Sequence, residues 1–87
     1  MDIIPSSRFL KNIARYDRKT RKRVYDKLDL FLQNRYHPSL RYKTVQALKH
    51  EEPPVKEISI TMKIRVTLQE FEDHIYLRNI GGHEILP

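Results

Sequence analysis

The sequence predicts an α+β fold in which a short N-terminal strand and a two-helix hairpin pack on one face of an antiparallel sheet, in the order β-α-α-β-β-β-β. Two observations carry this reading. Apolar residues recur at helical spacing up to about Asn34, and from Ile58 onward they alternate with polar residues at a period of two. A third observation limits the size. The 87 residues are expected to form one domain spanning 1–87, and a chain this short buries only roughly 60–65% of the surface it exposes when unfolded. Helices must therefore cover a sheet for either to have a core.

The elements follow in order. "DII" is a β-branched opening, and a serine of Pro5-Ser6-Ser7 is placed to cap the helix that begins "RFLKNIARY". Phe9, Leu10, Ile13 and Tyr16 form its apolar face. "DRKTRKR" is too polar to pack, and Thr20 is read as the cap of a second helix running to about Asn34, with Val24, Tyr25, Leu28, Phe31 and Leu32 as its stripe. Pro38 disfavours helix at His37. "TVQALK" reads as a short strand and "HEEPP" as a loop. Ile58, Ile60, Ile64, Val66, Leu68, Ile75 and Leu77 then point inward from a meander of strands.

Alternation also assigns the outer face. Glu57, Ser59, Arg65, Thr67, Tyr76 and Arg78 point away from the helices. A loop at Thr61-Met62-Lys63 sets Ser59 opposite Arg65, and an even loop near "EFED" sets Arg78 beside Arg65 or Thr67. An antiparallel return brings the residues after Ile80, including His83, to the Arg65 end. The expected constellation is Arg65, Arg78 and His83, with Ser59, Glu57 and Tyr76 around them. Arginine presents a planar fork for phosphate oxygens, and histidine moves protons near neutral pH. The chain's only two glycines, Gly81 and Gly82, directly precede His83. Glycine is retained where φ must be positive or where chains approach closely, so the pair is expected to re-aim the histidine.

Composition narrows the function. Lys and Arg total 17 against 11 Asp and Glu, a net charge of +6 with pI near 9.8, which favours polyanions such as nucleic acid. Much of that charge lies in Arg15, Arg18, Lys19, Arg21, Lys22, Arg23 and Lys27, read as a solvated face or a surface for RNA or an acidic helix. The absence of cysteine excludes disulfides and thiolate metal sites. The four histidines lack metal-motif spacing. No run of apolar residues has the length of a membrane span and no signal peptide is evident, so the expected location is the cytoplasm. No phosphate-cradling glycine loop, nucleophile elbow or Walker pattern occurs.

With these residues in place, "VQALKH" before a proline-containing loop, "ISITMKIRVTLQ" with its arginine, and "IYLRNIGGHEIL" resemble the RelE/ParE toxin superfamily over nearly the whole chain. The resemblance implies a type II toxin that acts as an endoribonuclease on mRNA, on the ribosome in many relatives, and that is neutralised by a cognate antitoxin. It implies no cofactor, no metal and no membrane. Cleavage is attack of the ribose 2′-hydroxyl on the adjacent phosphate, which needs a proton acceptor, a proton donor and cations. By position, Arg65 matches the family's phosphate-contacting arginine and His83 its terminal acid or base. Lys49 matches a basic residue before the sheet core, with His50 and Lys43 along the RNA path. Two departures stand out. Where many relatives carry a stacking aromatic after the histidine this chain reads "EILP", leaving Tyr76 as the candidate. Where some carry a basic carboxylate it has Gln46, leaving Glu57. The alternatives are a ParE-like inhibitor of DNA gyrase and a non-catalytic RNA-binding module.

Overall fold

The computed structural model describes all residues from Met1 to Pro87. The strands are β1 (Asp2–Pro5), β2 (Lys43–Thr44), β3 (Lys56–Ser59), β4 (Arg65–Glu70) and β5 (His74–Gly81). The helices are α1 (Ser7–Ile13) and α2 (Arg18–Gln33). Single 3₁₀ turns occupy Pro38–Leu40, Gln46–Leu48 and His83–Ile85. The expected element order is present. The sheet order is β1-β5-β4-β3-β2. β1 runs parallel to β5 while the other pairs are antiparallel, so the sheet is mixed rather than wholly antiparallel. The reason is topological: α1 and α2 return the chain to the far side of the sheet, which leaves β1 to add at the free edge of β5.

Local chemistry explains the element ends. Ser6 caps α1 by accepting from the Phe9 N–H, and its hydroxyl donates to the Arg78 carbonyl, tying the helix start to β5. Asp17, not Thr20, caps α2: its carboxylate accepts from the Thr20 N–H, and the Thr20 side chain first, then this backbone bond, hold the Asp17 carboxyl below its ordinary value. An aspartate three residues before an available N–H is as good a cap as a threonine and adds charge at the positive end of the helix. The "TVQALK" segment is strand only at Lys43–Thr44 and turns at Gln46.

Thirteen buried side chains form one core between the helices and the sheet, including Phe9, Val24, Phe31, Ile58, Leu68 and Leu77. Leu10, Tyr25 and Leu32, expected in the helical stripes, are about half exposed. The outer face of the sheet is less open than alternation implies. Glu57, Thr67 and Gln69 are buried there, and Val45 and Val55 are buried outside the main core. The segment 45–55 folds over part of this face, held where Val45 donates to the Val55 carbonyl and Val55 to the Leu48 carbonyl. No helix is long and apolar enough to cross a membrane.

Candidate functional site

The first hairpin has the expected register, with Ser59 opposite Arg65 and Glu57 opposite Thr67. Ile60 donates to the Ile64 carbonyl across the loop, and the Thr61 hydroxyl accepts from the Lys63 and Ile64 N–H groups. This tight turn starts β4 with Arg65 on the outer face. Glu57, diagonal to Arg65, accepts from Nη1 at 2.8 Å. The Arg65 side chain is 16% exposed and that of Glu57 4%, so the pair is shielded from solvent.

On the other side, Arg65 lies opposite Gly81, and the chain turns at Gly82 into the 3₁₀ turn His83–Ile85. His83 Nε2 lies 3.2 Å from Arg65 Nη2. A guanidinium only donates, so Nε2 accepts in this contact and the ring proton resides on Nδ1. Arg65 Nε is buried without a partner. A buried orphan donor is rare and costs free energy. Here it belongs to a cation already fixed by a carboxylate and a histidine.

The glycines serve this turn through close approach alone, because neither has positive φ. A Cβ on Gly81 would lie 2.6 Å from Ile85 Cγ2, and one on Gly82 would lie 3.3 Å from the Lys63 carbonyl oxygen. The Gly82 N–H donates to Glu84 Oε1 at 2.9 Å. That bond, the carboxylate's contact with its own backbone N–H, and the nearby His83 hold the Glu84 carboxyl below its ordinary value against a small opposing effect of burial.

The constellation divides where the reading expected one group. Arg65, Glu57, Ser59 and His83 come together. Tyr76 does not join them, because it pairs with Gln69 farther along β4, and Arg78 is offset where β5 bulges between the Leu68–Leu77 and Thr67–Asn79 pairs. Arg78 is the extra residue, and its Nη1 donates to Gln69 Oε1 at 3.1 Å. One added residue breaks the strict alternation used to place it. Lys43 faces Glu57 across β2 and β3 and is exposed, as are Lys49 and His50 at the end of the 46–48 turn.

A cleft of about 370 Å³ adjoins Arg65 and Ser59, walled by Ser39, Arg41, Thr61 and Met62. The sequence reading missed Arg41. It is the one non-glycine residue with positive φ, at 47°, a conformation that costs an ordinary side chain roughly 1–2 kcal/mol. The turn Pro38–Leu40 imposes it, and no spacing signal announces it. No group of three His, Cys, Asp or Glu side chains is placed to hold a metal ion. The assembled site offers two arginines, a histidine with an unprotonated nitrogen toward the cation, and hydroxyls from Ser59 and Thr61. That is a binding surface for a phosphate with a proton-transfer group beside it.

No family model matches the chain, and no curated protein matches it. Solved structures do. YafQ from E. coli matches with a TM-score of 0.76 at 11% identity, over 98% of this chain and 96% of that one. The YoeB dimer from Staphylococcus aureus gives 0.75 at 16% identity, over 95% and 97%. The archaeal RelE–RelB complex from Pyrococcus horikoshii gives 0.73 at 8% identity, over 93% and 92%. The chain shares the fold of these structures: two helices packed on a five-stranded mixed sheet.

Proposed function

We propose that residues 1–87 form the toxin of a type II toxin–antitoxin pair and that the toxin is an endoribonuclease acting on mRNA. The observation that carries this reading is the Arg65 guanidinium, clamped by buried Glu57, with Nε unpartnered and His83 Nε2 at 3.2 Å. In the proposed reaction the scissile phosphate takes the place of His83 as acceptor of the Nη2 donor. The 2′-oxygen attacks phosphorus, the 5′-oxygen leaves with the bonding pair, and a 2′,3′-cyclic phosphate forms. Arg65 and Arg41 offset the charge that grows on the phosphoryl oxygens. His83 Nε2, freed from Arg65, accepts the 2′-hydroxyl proton or, once protonated, delivers one to the 5′-oxygen. Glu57 acts as the anchor of Arg65 rather than as a base, since its carboxylate is shielded and ion-paired. Lys43, Lys49 and His50 line the approach of the RNA, on the ribosome or free.

The partner is a cognate antitoxin. The RelE of Pyrococcus horikoshii is seen with RelB, and here α1 and α2 expose Leu10, Tyr25 and Leu32 amid a basic surface. An acidic, amphipathic antitoxin segment fits such a surface. The toxin is expected to act in the cytoplasm, where mRNA is translated.

Induction of wild type, His83→Ala and Arg65→Ala in cells, with growth followed and mRNA ends mapped, tests the proposal. Wild type should arrest growth and create new mRNA ends, and both variants should do neither. Arrest without new ends sinks the nuclease reading. Arrest with gyrase-linked DNA breaks instead identifies the ParE-like activity, and RNA binding without arrest the non-catalytic module.

A further inference from the structure

The β5 bulge that removes Arg78 from the Arg65 centre opens a second recess, of about 380 Å³, at the edge of the outer face. Its walls include Arg8, Thr67, Tyr76, Arg78, Leu48 and Ile85. We propose that this recess is a nucleotide subsite that takes the base and phosphate of the RNA residue next to the scissile bond. The inference rests on the nuclease reading for the identity of the strand.

Four features argue for it. Arg78 is aimed by structure: the bulge turns it outward, and Gln69 holds one nitrogen while the buried Gln69 amide is itself fixed by donating to the Pro53 carbonyl. The rest of the fork is left for an anion. Arg8, exposed on the first turn of α1, adds a second cation to the wall. Tyr76 is half-buried beside Ile4 of β1, and a ring held in this way offers a face for base stacking that any base can use. Last, the recess lies near the catalytic end. Ile85, in the turn that carries His83, forms part of its wall. Thr67 lies two residues beyond Arg65 on the same face of β4, roughly 7 Å along the strand. Two cations for a phosphate and one aromatic face for a base are the chemistry of a nucleotide. The recess also supplies a stacking group in a chain that has no aromatic residue after His83.

The test uses the purified full chain and a fluorescent 2′-O-methyl RNA oligonucleotide, which cannot be cleaved. Tyr76→Leu, which keeps an apolar side chain in place, should weaken binding by about 5- to 100-fold. Arg8→Glu, at an exposed position that threatens no packing, and Arg78→Gln should weaken it and each lower the salt dependence by about one unit of log–log slope. Wild-type affinity and salt slope in Arg8→Glu and Tyr76→Leu overturn the proposal, as does a wild-type chain without affinity for the oligonucleotide. So does a pattern in which these substitutions weaken antitoxin binding alone, since the recess is then a protein contact. Failure of the nuclease reading is separate: a chain that leaves mRNA intact in cells yet binds the oligonucleotide through Tyr76 loses the first proposal and keeps this one.

Discussion

Strand β4 carries an arginine–glutamate pair at each end, and the two pairs are built for different work. At its end, Glu70 receives the Tyr42 hydroxyl on one carboxylate oxygen and faces Arg35 with the other. Arg35 also lies over the Phe31 ring, and Tyr42 packs edge-on against Phe31. The Tyr42 hydrogen bond and the Arg35 ion pair tie the exit of α2 to the sheet, although Glu70 Oε1 is buried without a hydrogen bond. At its start, Glu57 holds Arg65, but the guanidinium keeps an unpartnered Nε, contacts a histidine and borders a cleft. The same two residue types brace a helix end in one place and border a cleft in the other.

The largest test of that contrast removes each cation. Arg65→Ala should lower cleavage by about 10²- to 10³-fold, the usual cost of losing a donor that meets transition-state charge. It should also cost about 3–5 kcal/mol of stability, because Glu57 is left buried and unpaired. Replacing both partners, as Arg65→Met with Glu57→Leu, should restore most of the urea midpoint and none of the cleavage. Arg35→Ala, whose side chain is 39% exposed, should cost about 1 kcal/mol or less and leave cleavage intact. Equal loss of activity from both arginine variants would erase the distinction between the two ends.

The contrast also divides what could be read in the sequence. Period-two alternation placed Arg65, Ser59 and Glu57 correctly on one face, because the hairpin at Thr61–Lys63 keeps phase. It set Arg78 beside Arg65 or Thr67, and Arg78 shares a recess with Thr67; the offset from Arg65 comes from a bulge that adds one residue to β5 with no local sequence signal. The Glu70–Tyr42–Arg35 network was invisible for a related reason: it joins a helix end, a short loop and a strand far apart in sequence, and only the packed structure brings them together. Gly81 and Gly82 were legible as a demand for space and not as a demand for positive φ, since close approach depends on Ile85 and Lys63 across the turn. The helix cap went to Asp17 because both Asp17 and Thr20 fit the sequence rule, and backbone geometry chose between them.

A smaller effect comes from the Glu70 end. Burial, then the hydrogen bond to Glu70 and its charge, raise the Tyr42 hydroxyl well above its ordinary value of 10.0. The folded state thus holds this proton more tightly than the unfolded state. The resulting stabilisation is fully present below pH 10.0 and is lost as pH rises toward the folded value. Tyr42→Phe should cost about 1.5 kcal/mol at neutral pH through the lost hydrogen bond to a carboxylate, leave RNA cleavage unchanged, and remove this alkaline loss from the pH dependence of the urea midpoint. A Tyr42→Phe chain that stays as stable as wild type at neutral pH would show that Glu70 and Arg35 hold α2 without it.

The smallest effect concerns the turn that presents His83. Glu84 is exposed, and its carboxyl lies below the ordinary value of 4.5 chiefly because it accepts from the Gly82 N–H. A lowered folded value means that the carboxylate stabilises the turn above pH 4.5 and that this contribution fades as pH falls through the folded value. Glu84→Gln can still accept from the Gly82 N–H but carries no charge to titrate. It should therefore be slightly less stable than wild type at neutral pH, and the gap in urea midpoint should close on acidification. Cleavage should fall much less than in Arg65→Ala, because the Gly81 and Gly82 backbone and the Ile85 contact still direct His83. A gap that persists unchanged in acid would mean that Glu84 acts through packing rather than charge, and the Arg65 end of β4 would then depend on shape as fully as the Glu70 end does.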